Sequence, residues 1–252
     1  MKYAVVMAAG KGTRMQSDLP KVLYPILGRP MIEYVLDAVT QAGIDKIIVV
    51  VGYRSDLVRE SLAHRSGLLF AEQTEQLGTG HAVMACGDML RDHSGSVLVV
   101  AGDCPMIQAD SIQKLFTAYL PPVADRPACI LGTIYKDNPT GLGRIVRDSA
   151  GEFQAIVEEK DASPEQKLIT EVNMSYYLFH TPDLLEVLTH LQTNNAQKEY
   201  YLTDSPGMLR AQGKRVLALP ILKPVESLGI NTVAEAELAE RAMGETSTMP
   251  TA

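Results

Sequence analysis

The stretch YAVVMAAGKGTRMQSDLPKVL, residues 3–23, runs an apolar segment straight into a loop carrying Gly10, Gly12 and the cations Lys11, Arg14 and Lys21. YAVVMA predicts a strand buried on both faces, the pattern of a parallel sheet covered by helices. A glycine turn leaving the first strand of such a sheet lies at its carboxyl edge, where open α/β sheets bind ligands. Glycine there lets backbone N–H groups approach a phosphate closely. The spacing G-x-G-T-R is neither the dinucleotide pattern G-x-G-x-x-G nor the P-loop pattern G-x-x-x-x-G-K-[ST]. A tight turn with solvated basic residues is the plain structural alternative. Against it stands the density of positive charge in a chain of net charge −7, which reads as local compensation for a polyanion.

Outward from this loop, KIIVVVG (46–52), SVLVVAGD (96–103) and ACILGTIY (128–135) predict further buried strands. Between the first two strands a helix is opened by Pro30 and closed near Gly43, with Met31, Ile32, Val35, Leu36 and Val39 as its buried stripe. ADSIQKLFTAYL (109–120) has the same period before a double proline stops it. The series is βαβ, hence α/β with a Rossmann-like, doubly wound mixed sheet. After about residue 140, GRIVRDSAGEFQAIVEE predicts two strands joined by a turn at 148–151, and EVNMSYYLFH another, an antiparallel addition at one edge of the sheet. A helix at TPDLLEVLTHL with Thr181 as N-cap and Pro182 first, a strand at KRVLALPIL and a helix at VAEAELAERAM follow. A single domain over 1–243 is expected, with 244–252 a frayed polar tail.

A length of 252 residues and a hydrophobic content of 46% suffice for a sizeable core. The acidic balance argues against a nucleic-acid surface, because phosphate backbones select for positive faces. Cys86, Cys104 and Cys129 have neither metal-ligand spacing nor an even count, which suits free thiols in a reducing compartment, so a cytoplasmic location is expected. The N-terminus has no signal-peptide pattern and no apolar run reaches membrane-spanning length, so no membrane association is expected. A monomer or weak homo-oligomer is expected.

Residues 7–23 resemble the opening signature of the sugar-nucleotide pyrophosphorylases, L-A-A-G-x-G-T-R-M, a short gap and L-P-K. Six further stretches agree: EQTEQLGTGHA (72–82), GDCPM (102–106), PTGLGRI (139–145), IVEEKDA (156–162), NNAQKEYYLTD (194–204) and GIN (229–231). Within the family they are similar to the uridyltransferase half of the bifunctional bacterial enzyme that makes UDP-N-acetylglucosamine. The resemblance implies a nucleotide-diphospho-sugar transferase fold. It also implies Mg²⁺-dependent reaction of UTP with N-acetylglucosamine 1-phosphate, giving UDP-N-acetylglucosamine and pyrophosphate, with UTP and the sugar 1-phosphate as its small-molecule partners.

By the same resemblance Ala8, Ala9 and Gly10 lie against uracil and ribose. Gly12 meets the phosphates, and so do Arg14 and Lys21, which are the catalytic pair. Gln73, Gln76, Gly78 and Thr79 recognise uracil, Asp103 and Asn231 hold Mg²⁺, and Gly143, Glu158 and Asn173 bind the sugar. The chemistry suits these residue types. An in-line attack at phosphorus needs positioning and charge stabilisation, and a sugar 1-phosphate is already an anionic nucleophile, so no general base is required. A Gln amide offers a donor and an acceptor to the imide edge of uracil. Taken singly each residue has a structural reading: a polar loop capping a helix that starts near Thr79, a turn at Asp103, an N-cap at Asn231, β-edge or turn positions for the sugar set. His81 and Cys104 read as structural, and 194–204 frames the acceptor pocket without a single catalytic residue.

Two departures fall near these sites. The family pattern N-T-G is replaced by Asn173-Met174-Ser175, and an aromatic before the Gly-Asp is replaced by Ala101. The alternatives are therefore the same chemistry on another hexose 1-phosphate, or a non-catalytic subunit that binds a nucleotide sugar. No hexapeptide repeat is visible, so the acetyl-transfer activity and the trimer that such a repeat builds are expected to be absent.

Overall fold

The structure is a computed structural model that describes residues 1–15, 17–119 and 125–247. Its elements in chain order are β1 (Tyr3–Met7), β2 (Pro25–Ile26), β3 (Arg29–Pro30), α1 (Met31–Gln41), β4 (Lys46–Val51), α2 (Ser55–Ser61), β5 (Leu68–Glu72), α3 (Thr79–Met84), α4 (Gly87–Leu90) and β6 (Ser96–Ala101). Then follow α5 (Ala109–Ala118), β7 (Cys129–Tyr135), β8 (Arg144–Arg147), β9 (Phe153–Val157), α6 (Pro164–Lys167), β10 (Glu171–His180), α7 (Thr181–Leu188), α8 (Asp204–Ala211), β11 (Val216–Leu219) and α9 (Val233–Ser247).

The main sheet has the order β11-β7-β10-β6-β1-β4-β5. Strands β6, β1, β4 and β5 pair in parallel, as their unbroken apolar runs demand. Alternate residues of β1 feed two cores. Ala4 and Val6 pack with Ile32, Val35 and Leu36 of α1 and Ile112 of α5, while Val5 packs with Val83 of α3 and Leu184 of α7. A third cluster seats α9, through Ala236 and Ala239, on Met15, Ile26 and Met31.

The expected antiparallel hairpin is β8–β9, joined to β10 through the pair Arg144 and Val172. Strand β10 itself is not peripheral: it runs antiparallel between β6 and β7, deep in the sheet. Its apolar content is that of an inner strand, and direction is set by connectivity, which periodicity does not record. At α7 the expected cap is displaced by one residue. His180 is the N-cap and Thr181 is already helical, its hydroxyl buried without a partner. The backbone N–H of Thr181 is taken instead by the carbonyl of Gly95 at 2.9 Å. Short elements α2, β5 and α8 lie between the expected ones. Helix α9 continues to Ser247, through the first residues of the expected tail. Residues 248–252 of that tail lie outside the described residues, as does the double proline after α5.

One buried carboxylate ties the far side of the sheet together. Glu226, fully buried, accepts from Ser111 Oγ at 2.6 Å, Tyr176 OH at 3.1 Å and the backbone N–H groups of Gln108 and Lys223. It thereby pins α5 and β10 to the segment that leads toward residue 231. Glu226→Ala leaves these donors unpaired and should lower unfolding free energy by about 3 kcal/mol, measured by urea denaturation.

Candidate active site

Parallel strands end at one edge, and their ends are stitched together. Ala8 N–H donates to Val50 O, Gly102 N–H to Met7 O, Tyr53 N–H to Ala9 O and Gln73 N–H to Val51 O, all within 2.8–3.1 Å. Loops leaving β1, β4, β5 and β6 are thus held side by side around a cleft of about 440 Å³. On its wall lie Ala9, Gly10, Gln73, Gln76, Gly78 and Thr79 from these loops, with Asp103 after β6 and Asn231 before α9. The opposite wall brings Gly143, Glu158 and Asn173.

Four expected site residues are not on that wall. Ala8 is 1% exposed and packs in the core, so its side chain supports the loop from beneath, in keeping with its place at the end of the apolar run YAVVMA. Gly12, Arg14 and Lys21 stand at the rim. Gly12 has φ +67°, and a Cβ there would lie 2.5 Å from Lys21 Cβ, so glycine is needed for the Lys21 stem to pass. Lys11 goes elsewhere, its ammonium 5.3 Å from the centre of the Tyr53 ring.

Lys21 is the hub. Its ammonium donates to Asp103 Oδ2 and, at 2.7 Å, to Asn231 Oδ1, which also accepts from Arg14 Nη2 at 2.9 Å. Asn231 is available because it does not cap α9: Glu235 N–H donates to Thr232 Oγ1, while Glu235 Oε2 accepts from the backbone N–H groups of Asn231 and Thr232. Ile230 N–H to Asp103 O brings the two segments together. Two hard oxygens from distant segments therefore converge on one cation. That donor set fits a divalent ion that keeps water and phosphate in its remaining positions. Among the described residues no group of three His, Cys, Asp or Glu forms an all-protein metal cage.

The loop at 73–79 is built around Gln73, which is buried and whose Nε2 donates to Gly78 O at 3.0 Å and lies 3.2 Å from His81 Nδ1. The amide nitrogen is thereby turned into the loop, and Oε1 makes no hydrogen bond among the described residues. Gly78 has φ +107°, and a Cβ would meet Tyr200 O at 2.7 Å. The His81 ring braces the same loop, with Nδ1 3.0 Å from Glu75 O.

Residues 194–204 close the opposite side of the cleft. Gly80 N–H donates to Tyr200 O at 2.7 Å, Leu202 N–H to Thr79 Oγ1 at 3.0 Å, and Thr203 Oγ1 to Glu158 Oε1 at 2.9 Å. Burial holds the Glu158 carboxyl above its ordinary range; the carboxylates of Asp204, Asp161 and Glu199 push the same way, and the Thr203 hydroxyl opposes them. Cleft residues that sequence reasoning gave no role include Gly141, Leu142 and Glu199. All three sit within the motif stretches, so the signal was present as a segment and not as a residue. Cys104 is buried, and its thiol is raised by that burial and by Asp103.

Gly12→Ala should cost about 1–2 kcal/mol in urea denaturation, through the forbidden φ and the collision with Lys21. Gly10→Ala, where a Cβ meets nothing within 4 Å, should change stability by less than about 0.5 kcal/mol.

Known proteins align with this geometry. The bifunctional protein GlmU of Geobacillus sp. (strain WCH70) is 44% identical over 244 residues, covering 97% of this chain and 52% of its own. The same-named protein of Enterococcus faecalis (strain ATCC 700802 / V583) is 41% identical over 242 residues, covering 96% and 52%. The chain thus spans about half the length of the curated relatives it matches. Among solved structures, UDP-glucose pyrophosphorylase complexed with UDP-glucose superimposes with a TM-score of 0.76 at 19% identity over 98% of this chain and 99% of that one, a likeness of fold. No helix among the described residues is long and apolar enough to cross a membrane. The MobA-like NTP transferase domain matches residues 4–198, and the chain belongs to that family.

Proposed function

We propose that this chain is a uridylyltransferase that joins UTP and N-acetylglucosamine 1-phosphate, releasing pyrophosphate. The observation that carries the reading is the meeting of Lys21, Arg14, Asp103 and Asn231 at one point of the cleft edge. Fixed positive charge and hard oxygens at the junction of two substrate halves are what in-line transfer between phosphates needs. The relatives support it through their name and their 41–44% identity.

In this reading the base lies against Ala9 and Gly10, and the free Oε1 of Gln73 accepts the imide N–H of uracil. Gln76, Gly78 and Thr79 complete that side. Lys21 and Arg14 hold phosphate oxygens and stabilise the charge spread over them in the transition state. Asp103 and Asn231 would hold Mg²⁺, which would neutralise charge between nucleotide and acceptor phosphates. Across the cleft Glu158 accepts from sugar hydroxyls, Asn173 donates, and the backbone at Gly143 completes the ring of contacts. The acceptor phosphate attacks without a base, because it is already anionic.

Pyrophosphate release with UTP and Mg²⁺ should be greatest with N-acetylglucosamine 1-phosphate among a panel that includes the glucose and N-acetylgalactosamine 1-phosphates. Silence across the panel would overturn the reading in favour of a binding subunit. Asp103→Ala should lower turnover by ~10²–10³-fold. Since the Glu158 carboxyl is raised, its anionic form is lost on acidification above the ordinary carboxyl value of 4.5. Acceptor KM should therefore climb in that range while the KM for UTP stays flat, and Glu158→Gln should abolish the pH dependence.

A further inference from the structure

Strand β10 loses its pairing where it enters the cleft. Asn173 is opposite Thr133 and Tyr176 opposite Gly132, so Met174 and Ser175 have no partner on β7. Ser175 lies at φ +59°, the left-handed region that penalises any residue with a Cβ. Leu27, Arg54 and Lys198 also have positive φ, but Ser175 lines the cleft and they do not. Glycine would occupy this position without strain.

The backbone does not need a serine here. Ser175 N–H donates to Asn173 Oδ1 at 3.2 Å, a bond glycine would make equally well. Asn173 is fixed further by its N–H to Gly143 O at 2.8 Å and by Nδ2 to Tyr177 OH at 2.7 Å. Met174 is 4% exposed and packs in the core with Val172 and Tyr176. What serine alone adds is a half-buried hydroxyl on the cleft wall, next to Asn173 and hydrogen-bonded to the Tyr177 hydroxyl, with its oxygen still able to accept from a ligand. A strained polar residue at a ligand wall points to a role in binding.

Resting on the uridylyl-transfer reading, we propose that Ser175 is a specificity-determining residue whose hydroxyl hydrogen-bonds a polar ring substituent of the acceptor sugar beside Asn173. The acceptor class is a hexose 1-phosphate with an amide or hydroxyl at that point. A site built to pair such a group disfavours acceptors that lack it.

The test compares wild type, Ser175→Ala and Ser175→Gly. Alanine keeps the Cβ and the strain but removes the hydroxyl, so it should raise the KM of the preferred acceptor roughly tenfold, with the KM for UTP and kcat within about twofold. Glycine should raise it equally while increasing Tm by roughly 2–4 °C through relief of strain. An acceptor KM unchanged in both variants would overturn the proposal. If wild type transfers to no acceptor, the proposed function fails, and calorimetric binding of UDP-N-acetylglucosamine decides the role of Ser175. Affinity roughly tenfold weaker in Ser175→Ala than in wild type sustains that role. Equal affinity, or no binding by wild type, overturns it.

Discussion

The ammonium of Lys21 joins three parts of the chain that are far apart in sequence, being 82 residues from Asp103 and 210 from Asn231. An ion pair of this kind holds only where the backbone delivers both partners, since desolvating the charges costs more than an imprecise contact returns. The parallel pairing of β1 with β6 supplies that delivery, because it brings the loop after β1 and Asp103 out at the same edge. Gly12 lets the Lys21 stem through, and the Thr232–Glu235 cap leaves Asn231 free to turn inward. The carboxyl-edge geometry of the sheet thus becomes a charged centre.

Two walls of different electrical character meet at that centre. The rim beside the wall from β1, β4, β5 and β6 carries Arg14 and Lys21, the latter paired with Asp103, while the other wall, from β8, β9, β10 and residues 199–204, carries Glu158 and Glu199 with Asp204 behind. An anionic group is favoured near the first and disfavoured near the second, so the cleft is electrically polar from one side to the other. The walls are not independent: Leu202 N–H to Thr79 Oγ1 and Gly80 N–H to Tyr200 O bind the loop at 73–79 to the segment at 199–204.

Identity of about 44% to relatives twice as long, and a shared fold with a structure only 19% identical, separate two layers of constraint. The sheet and its edge tolerate wide sequence change because buried apolar residues of similar volume substitute for one another. Met174 and Ser175, beside Asn173, lie where β10 parts from β7, so a change there alters the cleft wall without breaking a pairing of the sheet.

Much of the architecture was legible in local pattern. The continuous apolar runs of β1, β4, β6 and β7 and the stripe of α1 gave strand and helix directly, since burial on both faces or on one leaves a periodic trace. Clustered positive charge in an acidic chain singled out the loop at 10–21, and the structure brings two of its cations, Arg14 and Lys21, to the cleft edge. The motif stretches pointed to Asp103 and Asn231, yet their shared hydrogen bonding to Lys21 exists only after folding, because nothing in one-dimensional spacing encodes a contact across 210 residues. Tertiary structure alone decided that β10 lies inside the sheet and that His180, and not Thr181, stands at the N-cap position of α7. It also decided the strained backbone of Ser175, which depends on β10 parting from β7 at one place. Sequence by itself determined which segments could be buried and which residues could carry charge; packing determined which of them meet, because directions and distances between segments are properties of the assembled core.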